Sequence, residues 1–310
     1  MTTKEKTIVI GARGSQLSVR QTRLALDMLQ AAHPHHRFQL TTIASSGDNH
    51  PDTPIERLGV GAFVKELQFA LLRREIDVAV HSLKDLPTAQ TPGLVLAAIP
   101  IREDPRDALV DRWGLPLERL PAGARIGTGS PRRMAQVRHM RPDLQVLPIR
   151  GNVTTRLDKA HGADYDGAVL ALAGLRRLGL DGDVSQVFAP DVLVPAPGQG
   201  ALALEVREDD AETLALVRSI QHYETFIATR AERAFLAALG GGCRAPYGAH
   251  AVIAGNTVTL TGMVGEHSGQ RLYKATASGS VADPEAVAMA VYEALQRQGA
   301  GPLIQRMKEL

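Results

Sequence analysis

The chain has almost no cysteine, few aromatic residues and little net charge, and each shortage excludes a class of protein. One cysteine among 310 residues cannot form an internal disulfide or a multi-thiolate metal site. Aromatic residues at 4% and a formal net charge of +2 argue against a nucleic-acid-binding surface. No apolar stretch is long enough to serve as a signal segment or to span a bilayer. We therefore expect a cytoplasmic protein that binds neither nucleic acid nor membrane.

Strand-like and helix-like segments alternate through most of the chain, which predicts an α/β fold class with largely parallel sheets. The alternation restarts near residue 108, and a turn-rich connector at residues 195–200 precedes one more strand and helix. Beyond residue 221 the pattern is a helix followed by three strands and a closing helix, as in a small α+β domain. The predicted domains are residues 1–101 with 201–220, residues 102–200, and residues 221–310.

Arginine dominates the basic residues, at 28 of the 35, and it recurs where predicted strands end. A GC-rich genome explains much of such an excess, so placement is more informative than number. The strand ends and helix starts that carry arginine are Arg13, Arg132 with Arg133, Arg150 with Arg156, and Arg176 with Arg177, the last pair after Gly174. Ligands of open α/β sheets bind outside the carboxyl ends of strands. The pattern predicts a cleft for several carboxylates or phosphates, and the absence of phosphate-loop and dinucleotide motifs disfavours a nucleotide.

The segment Gly127–Arg133 reads as a strand end, a glycine turn and a helix start. Ser130 suits the N-cap position and Pro131 the first helical position. Free N–H groups at such a start favour an anion, and the two following arginines strengthen that preference. An ordinary helix opening with two solvated arginines is an equally good interpretation of these residues alone.

Asp85 follows another predicted strand, residues 77–80, in otherwise cation-rich surroundings. An ionised carboxylate ~4 Å from a cation attracts it by about 4 kcal/mol at an effective dielectric constant near 20, so Asp85 could stabilise a cation forming on a substrate. Pairing with Lys84 or with a turn amide is the alternative. His81 is a second acid–base candidate, although a histidine at a strand end usually has a structural role.

The single cysteine, Cys243, follows three glycines, which permit unusual backbone angles and leave the thiol accessible to a small molecule. An inert cysteine in an interdomain loop is the alternative, and on these residues alone it is the better one.

Seven segments, in order, resemble the porphobilinogen deaminase (hydroxymethylbilane synthase) family over essentially the whole chain. They are Arg13–Leu17, Phe63–Leu67, Val80–Pro87, Gly127–Arg133, Arg150–Arg156, Pro197–Ala201 and Gly241–Cys243. The resemblance implies two periplasmic-binding-protein-like domains around a cleft, with a small third domain. It also implies a dipyrromethane cofactor joined to Cys243 by a thioether. The implied reaction deaminates four porphobilinogen molecules and condenses them head to tail, releasing hydroxymethylbilane for tetrapyrrole (heme) biosynthesis.

The resemblance also implies roles for individual residues. Asp85 would be the main catalytic carboxylate, assisted by Lys84, and both would contact the cofactor. The other residues that would bind cofactor and substrate are Arg13, Ser15, Thr128, Ser130, Arg132, Arg133, Arg150, Gly151, Arg156 and Arg177. No metal is needed, and the resemblance favours a monomer.

The chain departs from the family pattern in the loop at residues 45–62, which lacks the expected basic residues, so we assign no site residue there. Arg244 replaces a polar neutral residue after Cys243, where a cation would lower the pKa of a free thiol. Two other functions are considered. A non-catalytic carboxylate-binding protein would carry no covalent adduct, and a cysteine hydrolase lacks a convincing His/Asn partner arrangement.

Overall fold

The computed structural model describes residues 7–43, 64–240 and 245–308. Two compact units are found, one made of Met1–Arg102 with Ala201–Phe226 and the other of Glu103–Gly200 with Ile227–Leu310. The first unit is discontinuous in sequence, with its second segment beginning at Ala201. The finer division into three domains stays a prediction.

The elements of the described residues are numbered here in chain order. The strands are β1 (Thr7–Arg13), β2 (Arg37–Ile43), β3 (Val78–Ser82), β4 (Leu94–Ala98), β5 (Asp107–Asp111), β6 (Arg125–Gly127), β7 (Gln145–Leu147), β8 (Gly167–Ala171), β9 (Gln186–Val187), β10 (Leu202–Arg207), β11 (Tyr247–Ala254), β12 (Thr257–Gly265) and β13 (Leu272–Ser280). The α-helices are α1 (Gln16–Ala32), α2 (Lys65–Leu72), α3 (Pro131–Met140), α4 (Val153–Ala160), α5 (Leu172–Leu178), α6 (Ala211–Arg218), α7 (Tyr223–Leu239), α8 (Pro284–Arg297) and α9 (Gly301–Lys308).

The first unit contains a five-stranded sheet in the order β2-β1-β3-β10-β4. β1 runs parallel to β2 and β3, whereas β10 runs antiparallel to both of its neighbours. The prediction of a largely parallel sheet therefore holds for β1, β2 and β3 but not for β10. The chain enters β10 from the connector and not through a crossover helix, and a crossover is what a parallel neighbour requires.

The second unit repeats this layout and adds a smaller sheet. Its five-stranded sheet has the order β7-β6-β8-β5-β9, with β6 parallel to β7 and β8 and with β5 antiparallel to β8 and β9. The smaller sheet, β11-β12-β13, is antiparallel throughout. Two α/β sheets with a small α+β part confirm the predicted fold class.

The cores consist of the apolar residues that the strands and helices direct toward each other. In the first unit Ile10 and Val78 pack against Ala25 and Leu29 of α1, and all four are essentially buried. Because the centres of these strands are apolar, the predicted polar site residues lie at the strand ends, where ligands of such sheets bind. Within the described part of the chain, no helix combines the length and hydropathy that a membrane span requires.

Candidate active site

Two predicted site residues, Arg13 and Ser15, lie where β1 gives way to α1. The hydroxyl of Ser15 accepts a hydrogen bond from the N–H of Ser18 at 3.3 Å, so Ser15 is the N-cap of α1. The hydroxyl of Ser18 in turn accepts from the N–H of Arg13 at 2.9 Å. These two bonds fix the turn that presents Arg13 and Ser15 at the carboxyl end of β1.

A depression of about 440 Å³, partly open to solvent, lies beside that turn. The residues that line it are Arg13, Ser15, Leu17, Ser18, Gln21, Val64, Val80, His81, Ser82 and Asp85. The structure thus brings together three predicted site residues of the first unit: Arg13, Ser15 and Asp85. Asp85 ends a short 3₁₀ turn, Leu83–Asp85, that directly follows β3, and its side chain is exposed. Lys84 in the same turn is half-buried.

Gln21 and Ser82 are site residues that the sequence did not reveal. The side-chain amide of Gln21 donates to the hydroxyl of Ser82 at 3.0 Å, which joins α1 to the end of β3. Gln21 is buried, and both residues line the depression. A serine directly after a buried strand was a usable signal for Ser82, whereas a glutamine within a helix carries none.

His81, the second acid–base candidate, lies in the interior of the first unit, at 4% exposure. Its Nε2 is 2.9 Å from Oε2 of Glu205 on β10. The amide of Gln68 on α2 donates to both oxygens of the same carboxylate, at 3.2 and 3.0 Å. The two atoms are close but not aligned for a hydrogen bond, and the burial of His81 beside Glu205 favours its structural interpretation.

In the second unit, α3 begins as the sequence predicts. Ser130 is the N-cap, its hydroxyl accepts from the N–H of Arg133 at 3.4 Å, and Pro131 occupies the first turn. The hydroxyl of Thr128 accepts from the N–H of Ser130 at 3.2 Å and holds the preceding turn. Thr128 is fully buried, whereas Ser130 is half-buried.

Arg132 and Arg133, expected to face ligand, are instead buried, at 3% and 5% exposure. Both guanidinium groups reach the carboxylate of Asp107 on β5: Nη1 of Arg132 lies 2.6 Å away and Nη2 of Arg133 lies 2.7 Å away. Gln199 donates to the same carboxylate at 2.8 Å. Nε of Arg132 is buried, and no described residue accepts a hydrogen bond from it.

The charges of this cluster do not cancel, because one carboxylate faces two guanidinium groups. Burial raises the pKa of Asp107, but the positive charges of Arg132 and Arg133, with hydrogen bonds from Arg132 and Gln199, outweigh burial and lower that pKa to about 2. Asp107 is therefore ionised at neutral pH. The surplus positive charge lies at the start of α3, where helix N–H groups also favour an anion.

The start of α4 lies beside the start of α3. Gly151, before its N-cap Asn152, has φ +114, which suits glycine alone. Nε of Arg156 donates to the carbonyl of Gly151 at 2.7 Å, and a Cβ on Gly129 would lie 3.6 Å from Nη1 of Arg156. Arg150, half-buried, directly precedes Gly151. Thr128, Ser130, Arg150, Gly151 and Arg156 therefore belong to adjoining turns of one unit.

Arg177 is in the last turn of α5, so it does not directly follow a strand. The helix begins at Leu172 and includes Gly174, which was predicted to precede it. Nη2 of Arg177 donates to the carbonyl of Gly200 at 2.6 Å. Burial lowers the pKa of Arg177, and the charge of Glu103 opposes that effect. Its neighbour Arg176 pairs with Glu103 and Asp104.

Some predicted positions lie outside the described residues: Cys243, Arg244 and the loop at residues 45–62. Among the residues that are described, no three His, Cys, Asp or Glu side chains are grouped so that they could hold a metal ion. Each unit thus carries its own group of predicted site residues: hydroxyls, Arg13 and the exposed carboxylate of Asp85 in the first unit, and hydroxyls and guanidinium groups in the second.

Comparison with known proteins gives a consistent result along the chain. Residues 8–215 match the family model "Porphobilinogen deaminase, dipyromethane cofactor binding domain", and residues 226–297 match "Porphobilinogen deaminase, C-terminal domain". A porphobilinogen deaminase of Roseiflexus sp. (strain RS-1) is 46% identical over 301 residues, 97% of this chain and 99% of the relative. One of Syntrophotalea carbinolica is 47% identical over 296 residues, 95% of this chain and 94% of the relative. Among solved structures, the methionine-binding protein MetQ matches 69% of this chain and 89% of its own, at 13% identity and a TM-score of 0.46.

Proposed function

The chain belongs to the porphobilinogen deaminase family, and we propose that it deaminates four porphobilinogen molecules and joins them head to tail on a dipyrromethane primer, releasing hydroxymethylbilane for tetrapyrrole biosynthesis. The observation that carries the proposal is the placement of one exposed carboxylate, Asp85, and a set of cationic and hydroxyl groups at strand ends of two α/β sheets. Family membership over both matched regions supports the reaction.

The residues present fit a dipyrromethane. Each of its pyrroles carries an acetate and a propionate, and guanidinium and hydroxyl groups are strong donors to carboxylates. The start of α3 supplies Ser130 and the surplus charge of the Asp107 cluster, and the adjoining turn supplies Arg150 and Arg156. We propose that these groups hold the carboxylates and that Cys243 provides the thioether sulfur. When bound, the primer supplies the pyrrole carbon to which the first substrate is joined.

Arg132 and Arg133 act indirectly in this proposal. Apart from Nε of Arg132, their nitrogens already bind Asp107, Gln199 and the backbone carbonyls of Val194 and Val169. They contribute a fixed positive potential and hold the start of α3 in place. Preorganised charge of this kind stabilises bound anions because the protein does not reorganise when the ligand arrives.

Asp85 is proposed as the catalytic carboxylate. Loss of ammonia from porphobilinogen leaves a methylene carbon that carries positive charge, shared with the pyrrole ring of the substrate. A carboxylate about 4 Å away stabilises that charge by about 4 kcal/mol at an effective dielectric constant of 20. Its exposed position at the end of the Leu83–Asp85 turn lets Asp85 reach a substrate in the depression. Lys84 would attract a substrate carboxylate.

The test is Asp85→Asn, which retains size and removes charge. Loss of about 4 kcal/mol of transition-state stabilisation corresponds to an about 10³-fold fall in kcat. Asp27→Asn is the control, since Asp27 is an exposed residue of α1 outside the depression, and its kcat should stay within twofold of wild type. Less than a tenfold loss in Asp85→Asn would remove Asp85 from the central role.

Intact-protein mass tests the covalent part of the proposal. Purified wild-type protein should be heavier than its sequence by a two-ring adduct, and Cys243→Ala should lack that mass. A wild-type chain with no adduct, and no ammonia release from porphobilinogen, would instead indicate a non-catalytic carboxylate-binding protein.

The proposal extends to a monomeric, cytoplasmic, metal-independent enzyme with the three predicted domains. Sedimentation at micromolar concentration should give the mass of one chain, and dialysis against a chelator should leave activity unchanged. Limited proteolysis tests the domain boundaries, because we expect cleavage near residues 101, 200 and 220. Cleavage elsewhere in the connectors would move these boundaries.

A further inference from the structure

A short stretch of the second unit, Val194–Gly198, contacts helix α3 on one side and strand β11 on the other. The stretch contains the predicted connector's first residues, and it has no regular secondary structure. Helix α3 begins at the proposed primer-binding turn, and β11 begins at Tyr247, four residues after Cys243. The contacts that hold this stretch therefore relate the start of α3 to the strand that follows the cysteine in sequence.

On the α3 side, the side-chain amide of Gln136 forms two hydrogen bonds with the backbone of Val194, one as acceptor and one as donor. The N–H of Val194 donates to Oε1 of Gln136 at 2.8 Å, and Nε2 of Gln136 donates to the carbonyl of Val194 at 3.1 Å. Nη1 of Arg132 donates to the same carbonyl at 2.7 Å. Gln136 is 1% exposed, so loss of its amide would leave the buried N–H of Val194 without its acceptor and the carbonyl of Val194 with Arg132 alone.

On the β11 side, the backbone of Gly248 approaches Val194 closely. A Cβ added to Gly248 would lie 3.0 Å from both the carbonyl oxygen and Cγ1 of Val194. The N–H of Ala249 donates to the carbonyl of Pro195 at 2.9 Å. Any side chain at position 248 would therefore push β11 away from the stretch by a few tenths of an ångström.

A third connection comes from α7. Glu232, fully buried, accepts the N–H of Gly198 at 2.6 Å with one oxygen and the N–H of Ala251 at 2.9 Å with the other. One carboxylate thus holds both the end of the stretch and the middle of β11. Gln136 thus binds the first residue of the stretch and Glu232 its last, and the start of β11 packs against it at Gly248.

We propose that Gln136 and Gly248 are positioning residues that set where β11, the strand that follows Cys243 in sequence, stands relative to the anion-binding start of α3. The inference rests on the proposed function, because it assigns to these contacts the alignment of a tethered primer. A reacting carbon that is misplaced by about 1 Å can cost about 100-fold in rate. Small displacements of β11 should therefore slow addition to the primer while substrate binding is largely preserved.

Two variants test this, Gly248→Ala and Gln136→Met. Each has a control in the same unit: Gly182→Ala, where an added Cβ meets nothing within 4 Å, and Gln145→Met at an exposed position of β7. Purified holoenzyme is assayed with porphobilinogen for kcat and KM, and its intact mass reports the fraction carrying the two-ring adduct and the number of added rings.

For the Gly248 and Gln136 variants we expect kcat to fall about 3- to 10-fold per adduct-bearing chain, with KM unchanged. Chains should accumulate with one to three added rings. Gly248→Ala keeps every hydrogen-bonding group, so it remains informative if Gln136→Met fails to fold. Normal kcat per adduct-bearing chain in Gly248→Ala, even with lowered thermal stability, would show a merely structural role and overturn the inference. A wild-type chain without adduct would remove the proposed function itself, and this inference with it.

Discussion

Replacing Asp107 with asparagine tests how far the start of α3 depends on one buried carboxylate. Asp107 is fully buried and contacts the guanidinium groups of Arg132 at 2.6 Å and Arg133 at 2.7 Å. Asparagine has nearly the same shape but no charge. The substitution would leave two buried guanidinium groups without a counter-charge, a change that costs about 3–5 kcal/mol when one partner of a buried ion pair is removed.

The pKa of Asp107 gives a second value for the stability that the charge of Asp107 contributes. A fall from 3.8 in the unfolded chain to about 2 in the folded protein corresponds to about 2 kcal/mol of stability at neutral pH. Because the folded pKa is the lower one, that stability is present above pH ~4 and is lost as pH falls through ~2. Asparagine also replaces one of the two accepting oxygens by an NH2 donor that faces the arginine donors, and this unfavourable contact accounts for the remainder of the expected 3–5 kcal/mol.

Urea unfolding of wild type and Asp107→Asn at pH 7 should therefore differ by about 3–5 kcal/mol, and the difference should shrink as the pH is lowered from 4 toward 2. Asp143→Asn is the control, because the side chain of Asp143 is 42% exposed and pairs with Arg141 at the surface, where such pairs contribute less than about 1 kcal/mol. A difference below 1 kcal/mol at pH 7, or one that stays constant down to pH 2.5, would show that the charge of Asp107 does not stabilise the arginine cluster.

Two further predictions concern stability in the second unit. Gly200 has φ +86, and a Cβ added there would overlap the carbonyl oxygen of Glu103. Gly200→Ala should therefore lower the free energy of unfolding by about 2 kcal/mol or more. An effect no larger than that of Gly182→Ala would contradict this prediction. Burial raises the pKa of Tyr247 to about 12, and no described residue forms a hydrogen bond with its hydroxyl. The free energy of unfolding of Tyr247→Phe should therefore equal that of wild type within about 0.5 kcal/mol, or exceed it. A clear loss of stability in urea would mean that the hydroxyl has a partner.

The sequence was most informative where local chemistry decides the structure. Strand β6 ends at Gly127, where the sequence predicts a strand end, and Ser130 caps α3 as expected. Both follow from signals a few residues long: a short apolar run, glycines that permit a turn, and a Ser-Pro pair that suits a helix start. The position of Asp85 at the end of a buried strand was predictable for the same reason.

Long-range pairing was not predictable in this way. Nothing near Arg132 and Arg133 indicates that Asp107, on a strand before them, takes their donors, so solvated or ligand-facing arginines were the natural expectation. His81 faces Glu205, which is far along the chain and reaches it only because β10 lies next to β3. Gly174 shows a local failure, since apolar packing of Leu172 and Leu175 starts α5 before the glycine.

The buried arginines do not weaken the case for an anionic ligand, although all of their nitrogens except Nε of Arg132 are occupied. Desolvating two guanidinium groups is costly, and a fold that needed only a salt bridge would match each with a carboxylate. Here Asp107 faces two, so the interior retains positive charge directly behind the start of α3. A carboxylate bound at that helix start would offset the imbalance. Charge buried in this way is screened less by salt than charge on exposed arginines, which suits a site that must bind a polyanion for many turnovers.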